Sequence, residues 1–212
     1  MMRIGLITSG GVNAVPIKEK ADIILCAFEA EEVRYDKELK GETDYFERVA
    51  RLSKTLGNLV VCGVKTDARG HKRKSALVAE NGTILGVSDM LHVVDNECSC
   101  GAEVGVYTTK VGKMGVVVAG DLRFFEIFQT LANVGCDFVV CTCEKAGEME
   151  CTLARAYAYC FGMTVCLSGK GCSGIALPSG ELAFLSEEET AYVKCKITKE
   201  YHLVETRKKR AE

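Results

Sequence analysis

The side chains best suited to chemistry stand at the ends of apolar runs. Asp121 and Arg123 follow Val116-Val117-Val118-Ala119-Gly120, Cys143 and Glu144 follow Asp137 to Cys141, and Glu29 follows Ala21 to Ala27. A β-branched run that leads into Gly-Asp and then an amphipathic segment reads as a buried strand, a tight elbow and a helix. Such an elbow lifts the residue at the strand's end out of the sheet, where nearby backbone N–H groups can face a developing oxyanion. A nucleophile is suited to that place. The residue there is Ala119, which has no reactive atom. Cys143 lies at an equivalent strand end, but Lys145 is its only cationic neighbour in sequence, so little there favours a thiolate.

Each of these residues also has a structural reading. Asp121 and Arg123 can hold a ligand or cap and brace the turn. His92 is expected in a strand, as a satisfied core histidine rather than a catalyst. Of the 12 cysteines, Cys26, Cys62, Cys136, Cys141, Cys166 and Cys195 sit in or beside apolar runs, where a thiol behaves as a small hydrophobe. The pairs Cys98/Cys100 and Cys141/Cys143 lack the C-x₂-C spacing of metal sites, so no metal is expected; a metal or redox role for them is the outside alternative.

The elements that must position these residues alternate between strand-helix units and hairpins. Strands are expected at 3–7, 21–27, 58–64, 137–141, 163–167 and 191–197, and helices at 43–56, 123–133 and 148–161. Thr43 is the expected cap of the first helix, with Phe46, Val49, Ala50 and Ser53 on its inner face and Gly57 as its stop. Hairpins are expected where Asn81-Gly82 joins 75–79 to 84–87 and where Pro178-Ser179-Gly180 joins 173–177 to 181–184. No linker or repeat divides the 212 residues, which read as one domain, 1–212.

At 48% apolar and 26% charged residues, with a net charge of −2, the composition gives no basis for a nucleic-acid or membrane partner. The tail Arg207-Lys208-Lys209-Arg210 and the run Glu187-Glu188-Glu189 read as solvated surface. No N-terminal segment has the length of a signal peptide and none has the ~18 apolar residues of a membrane span, so the cytoplasm is the default compartment.

Beyond these local patterns, Gly112, Gly115, Asp121, Arg123, Phe124 and Glu126 fall in register with the nucleophile strand and elbow of the nitrilase, or carbon-nitrogen hydrolase, superfamily, roughly G-x-x-G-hydrophobic-x-hydrophobic-C-x-D-x-R-F-P-E. Ser75-Ala76-Leu77-Val78 with Gly82 to Gly86 resembles that family's N-S-A hairpin, and Leu91 to Asp95 its x-H-L-F-D. Ala154 to Ala158 is similar to its R-A-x-E-N helix, and Ser173 to Glu181 to its G-x-S strand pair. The motifs are collinear over most of the chain. The resemblance implies an α/β, four-layer α-β-β-α sandwich with shortened loops.

The family hydrolyses nonpeptide C–N bonds with a glutamate base, a lysine and a cysteine, and needs no cofactor. The resemblance puts Glu29, Met90 and Ala119 at the three positions, Glu29 without the family's proline and about one residue out of register. Ser168 or Gly169 stands where the family has an asparagine, and Glu97 is nearest its additional glutamate. The implied protein is a homologue that has lost this chemistry and binds a small molecule or a protein; family members pair through helical faces, which implies a homodimer. The alternative is an amidase with a relocated nucleophile, for which Cys143 and Glu144 are the candidates, or one that uses Glu29 and a water.

Overall fold

The computed structural model describes residues 1–16, 20–29, 31–56, 58–93 and 98–200. The first half contains β1 (Met2–Ile7), β2 (Ile23–Cys26), β3 (Glu32–Arg34), α1 (Tyr35–Lys40), α2 (Tyr45–Leu56), β4 (Leu59–Ala68), β5 (His71–Glu80) and β6 (Thr83–Asp89). The second contains β7 (Gly105–Thr109), β8 (Gly112–Val118), α3 (Phe125–Asn133), β9 (Phe138–Lys145), α4 (Glu148–Phe161), β10 (Thr164–Lys170), β11 (Cys172–Ala176), β12 (Leu182–Ser186) and β13 (Thr190–Cys195).

The unbroken apolar runs become parallel strands buried on both faces. In the first sheet β1, β2 and β4 are parallel neighbours within the order β13-β1-β2-β4-β5-β6, and β3 pairs with β4. In the second, β8, β9 and β10 are parallel within the order β12-β11-β10-β9-β8-β7. Three apolar clusters define four layers. Ile4, Leu25, Val116, Phe138 and Ile175 fill the space between the sheets. Val49, Leu56, Val60 and Leu77 pack α2 on the first sheet, and Phe128, Leu131, Ala154 and Val165 pack α3 and α4 on the second. This is the expected α-β-β-α sandwich. Each fully buried large side chain, such as Phe138, contributes roughly 1.5–3 kcal/mol of burial.

Two buried hydroxyls tie the sheets together. Thr142 Oγ1 on β9 donates to the Cys26 carbonyl at 2.9 Å, and Ser168 Oγ on β10 donates to the Ile7 carbonyl at 2.8 Å. The Ser168 hydroxyl is therefore spent inside the sandwich. The loop after it is short: Gly171, at φ +101°, is the single residue between β10 and β11.

Several local expectations change. The cap of α2 is Glu38, whose carboxylate accepts from the N–H groups of Tyr45 (3.0 Å) and Phe46 (3.1 Å); the Thr43 hydroxyl is buried with no such bond. The inner face of α2 is Tyr45, Val49, Leu52, Ser53 and Leu56, with Phe46 and Ala50 half-buried at its edge. The 123–133 helix starts at Phe125 and is preceded by a 3-10 turn over Ala119–Arg123. His92 lies in an irregular segment after β6 rather than in a strand. The expected roles of Gly57, Asp95, Glu97 and the basic tail lie outside the described residues.

Candidate functional site

At the C-terminal ends of β8 and β9 the elbow opens onto a cavity of about 380 Å³. Ala119 has φ +49°, a left-handed conformation that costs an L-residue with a Cβ roughly 1–2 kcal/mol. The backbone thus makes the sharp turn that presents a side chain, and the side chain presented is a methyl group. Met90 lines the same cavity; its sulfur lies 3.6 Å from where a Cβ on Gly120 would stand. Its backbone is fixed by hydrogen bonds, N–H to the Lys74 carbonyl and carbonyl from the Gly101 N–H, both at 2.8 Å.

Lys74 and Glu144 supply the charge. Lys74 Nζ, from β5 in the first sheet, is 2.7 Å from Glu144 Oε2, from β9 in the second, and Lys65 Nζ is 3.2 Å from the other oxygen. Burial works to raise the Glu144 pKa, but the two lysines outweigh it and hold the carboxyl below its ordinary value. Cys143 also lines the cavity, buried, with its thiol directed at the Ala119 carbonyl at 3.8 Å. Burial first, and Glu150 second, push that thiol up to about 12 against the opposing pull of Arg123. Arg123 is exposed and lines the cavity at its rim.

The other two positions look elsewhere. Glu29 lines a neighbouring cavity with Thr8, Gly10 and Phe28, and Glu144 forms part of both walls. The Glu29 Oε1 accepts from the Val12 N–H at 2.5 Å, and a Cβ at Gly11, itself at φ +49°, would sit inside the carboxylate. Burial raises the Glu29 pKa against that bond and Arg48. Asp121 is buried and braces the loop: Oδ2 accepts from the Leu91 N–H and Oδ1 from the His92 N–H, each at 2.8 Å, with His92 Nδ1 at 3.2 Å. The His92 ring stacks on Phe124 at 3.9 Å between centroids.

Sequence reasoning missed Lys74. It stands directly before Ser75, where the N-S-A pattern has asparagine, and the signal was a charge entering a strand whose next five residues are all buried. Among the described residues no group of three or more His, Cys, Asp or Glu side chains is placed to hold a metal ion.

No protein-family model matches the sequence. No curated protein matches it either. Solved structures do resemble the fold. Nit3 of Saccharomyces cerevisiae, described as a member of branch 10 of the nitrilase superfamily, is 15% identical with a TM-score of 0.73, over 99% of this chain and 93% of that one. A Cys-to-Ala mutant of an amidase from Nesterenkonia sp. AN1, in complex with butyramide, is 16% identical with a TM-score of 0.72, over 99% and 94%. A carbon-nitrogen hydrolase from Helicobacter pylori is 16% identical with a TM-score of 0.73, over 91% and 88%. The chain has the nitrilase-superfamily fold.

Proposed function

We propose that this nitrilase-fold chain binds a small polar molecule in the cavity beside Ala119 and does not hydrolyse C–N bonds. The observation that carries the reading is the left-handed elbow at Ala119, φ +49°, a turn that would suit a nucleophile and here presents a methyl group. Hydrolysis needs a thiolate, a base and a cation gathered on one carbon. Here the methyl of Ala119 and the thioether of Met90 face the cavity, and the carboxylate of Glu29 is bound to Val12. The cavity nonetheless has polar walls in Lys74, Glu144 and Arg123 and apolar ones in Met90 and Leu122, as a ligand pocket does. The amidase neighbour holds butyramide with an alanine in place of a cysteine, so small amides are the first ligands to test. Ligand-observed NMR with butyramide is expected to show binding that weakens in Met90→Trp, with no butyrate or ammonia formed. Unchanged binding in that variant would move the site elsewhere.

The partner is a second copy of the chain, in the cytoplasm. Exposed Phe125, Met149 and Tyr159 on the outer helices α3 and α4 support pairing through that face. Light scattering is expected to give twice the chain mass, and a monomeric mass refutes it.

The relocated-nucleophile reading has one observation in its favour, the presence of Cys143 in the same cavity. The burial that holds its thiol protonated argues against it.

A further inference from the structure

Behind the cavity wall lies a pair of thiols with no part in the reading above. Cys151 Sγ, in the first turn of α4, is 3.3 Å from Cys172 Sγ, at the start of β11. The two sulfurs are 21 positions apart in sequence and meet because the β9–α4 loop packs on the tight β10–β11 turn, where the Ala146 N–H donates to the Lys170 carbonyl at 3.0 Å. Both residues are slightly accessible, at 7% and 5% of their surface. Burial, and then the hydrogen bond with Cys172, push the Cys151 thiol up to about 12.

We infer that Cys151 and Cys172 are a modification site, a dithiol that a peroxide converts to a reversible disulfide. Closing the pair needs the sulfurs to approach from 3.3 Å to the roughly 2.05 Å of an S–S bond. One thiol loses its proton and attacks a peroxide oxygen, slowly because burial disfavours the thiolate; the O–O bond breaks, and a sulfenic acid and hydroxide result. The second thiolate then attacks the sulfenic sulfur, forming the S–S bond and expelling hydroxide. The two thiol protons and the two hydroxides leave as two waters. The pair loses two electrons and the peroxide gains them.

The other close thiols differ in a way that makes the assignment selective. Cys26 and Cys62 are register partners on the parallel strands β2 and β4, but both are fully buried, so peroxide does not reach them. Cys100 and Cys160 are exposed and Cys98 is half-buried, which favours mixed products between molecules. The disulfide would tie the first turn of α4 to β11, fixing the wall on which Glu150 lines the cavity.

The test uses the full chain carrying Cys98→Ser, Cys100→Ser and Cys160→Ser, treated with hydrogen peroxide, blocked with iodoacetamide and mapped by mass spectrometry without reduction. A cross-linked peptide pair holding Cys151 and Cys172, lighter by two hydrogens and separated by dithiothreitol, is expected. The oxidised protein is also expected to melt several degrees above the reduced one, a shift missing in Cys151→Ser and Cys172→Ser. If those variants do not fold, the peptide map decides alone. Cys151 and Cys172 that remain alkylated after peroxide, or go to sulfinic acid without the cross-link, overturn the inference, as does a dominant cross-link between Cys26 and Cys62.

Discussion

Lys74 Nζ and Glu144 Oε2, 2.7 Å apart, join the two sheets of the sandwich at the rim of the cavity, one from β5 and the other from β9. Lys74 is mostly buried and Glu144 half-buried, and Lys65 closes the second oxygen of the same carboxylate. The arrangement offers a ligand a fixed dipole rather than a free base, because both oxygens are already engaged.

Glu144→Gln removes both ion pairs. The partial exposure of the carboxylate discounts the loss to about 1 kcal/mol. The pKa of Glu144 is lowered in the folded chain, so its contribution is present above the ordinary carboxyl value near 4.5 and is lost as pH falls through the folded value. Thermal melts of wild type and variant are expected to differ at pH 7 and converge in acid. Curves that stay parallel would show that the pair adds nothing.

Glu29 has the opposite sign. Its pKa is raised from 4.5, so its contribution is full below that value and is lost as pH rises through the folded value. Glu29→Gln keeps an acceptor for the Val12 N–H and carries no charge. At pH 7 it is expected to melt at or above wild type, while Glu29→Ala, which leaves that N–H without its partner, melts lower by about 1–3 kcal/mol. A Gln variant as damaged as the Ala variant would show that the carboxylate's charge is needed.

Asp121→Ala leaves the Leu91 and His92 N–H groups without their acceptor. A loss of about 2–4 kcal/mol is expected in urea unfolding, with Asp121→Asn, which keeps one acceptor, recovering part of it. Equal losses in the two variants would exclude the bracing role.

Ala119→Gly tests the elbow's strain. A buried alanine changed to glycine usually lowers stability, but at φ +49° glycine relieves a conformation that alanine resists. The variant is expected to unfold within about 1 kcal/mol of wild type, or later. A loss well beyond that would mean that the methyl group packs more than the backbone strains.

The parts of this fold legible in the sequence were those where one force dominates. Val116 to Val118 and Phe138 to Cys141 are buried on both faces, and their apolar runs read directly as strands. The Asn81-Gly82 turn read correctly because both residues need positive φ, 49° and 90°. Three kinds of element escaped. The strand Glu32–Arg34 buries one residue and the helix Tyr35–Lys40 buries none, so neither carries a periodic signal. The Gly105–Thr109 edge strand is only partly covered. The outer half of the β4–β5 hairpin, with His71-Lys72-Arg73-Lys74, falls outside the expected strands 58–64 and 75–79 but pairs in register with Lys65 to Ala68. Ala119 and Met90, singled out in the sequence as a gap in a pattern, line one cavity. What fills the gap was not legible, because Lys74 reaches Glu144 across two sheets from 70 positions away, while the Glu29 carboxylate lies against Gly11 and accepts from the Val12 N–H.

The most direct test of a silent elbow is ammonia release from a panel of small amides, nitriles and carbamoyl compounds, followed over hours with wild type and with Cys143→Ala. The account predicts that both proteins match buffer. Release above buffer by wild type that disappears in Cys143→Ala would show a working nucleophile in this cavity and contradict it.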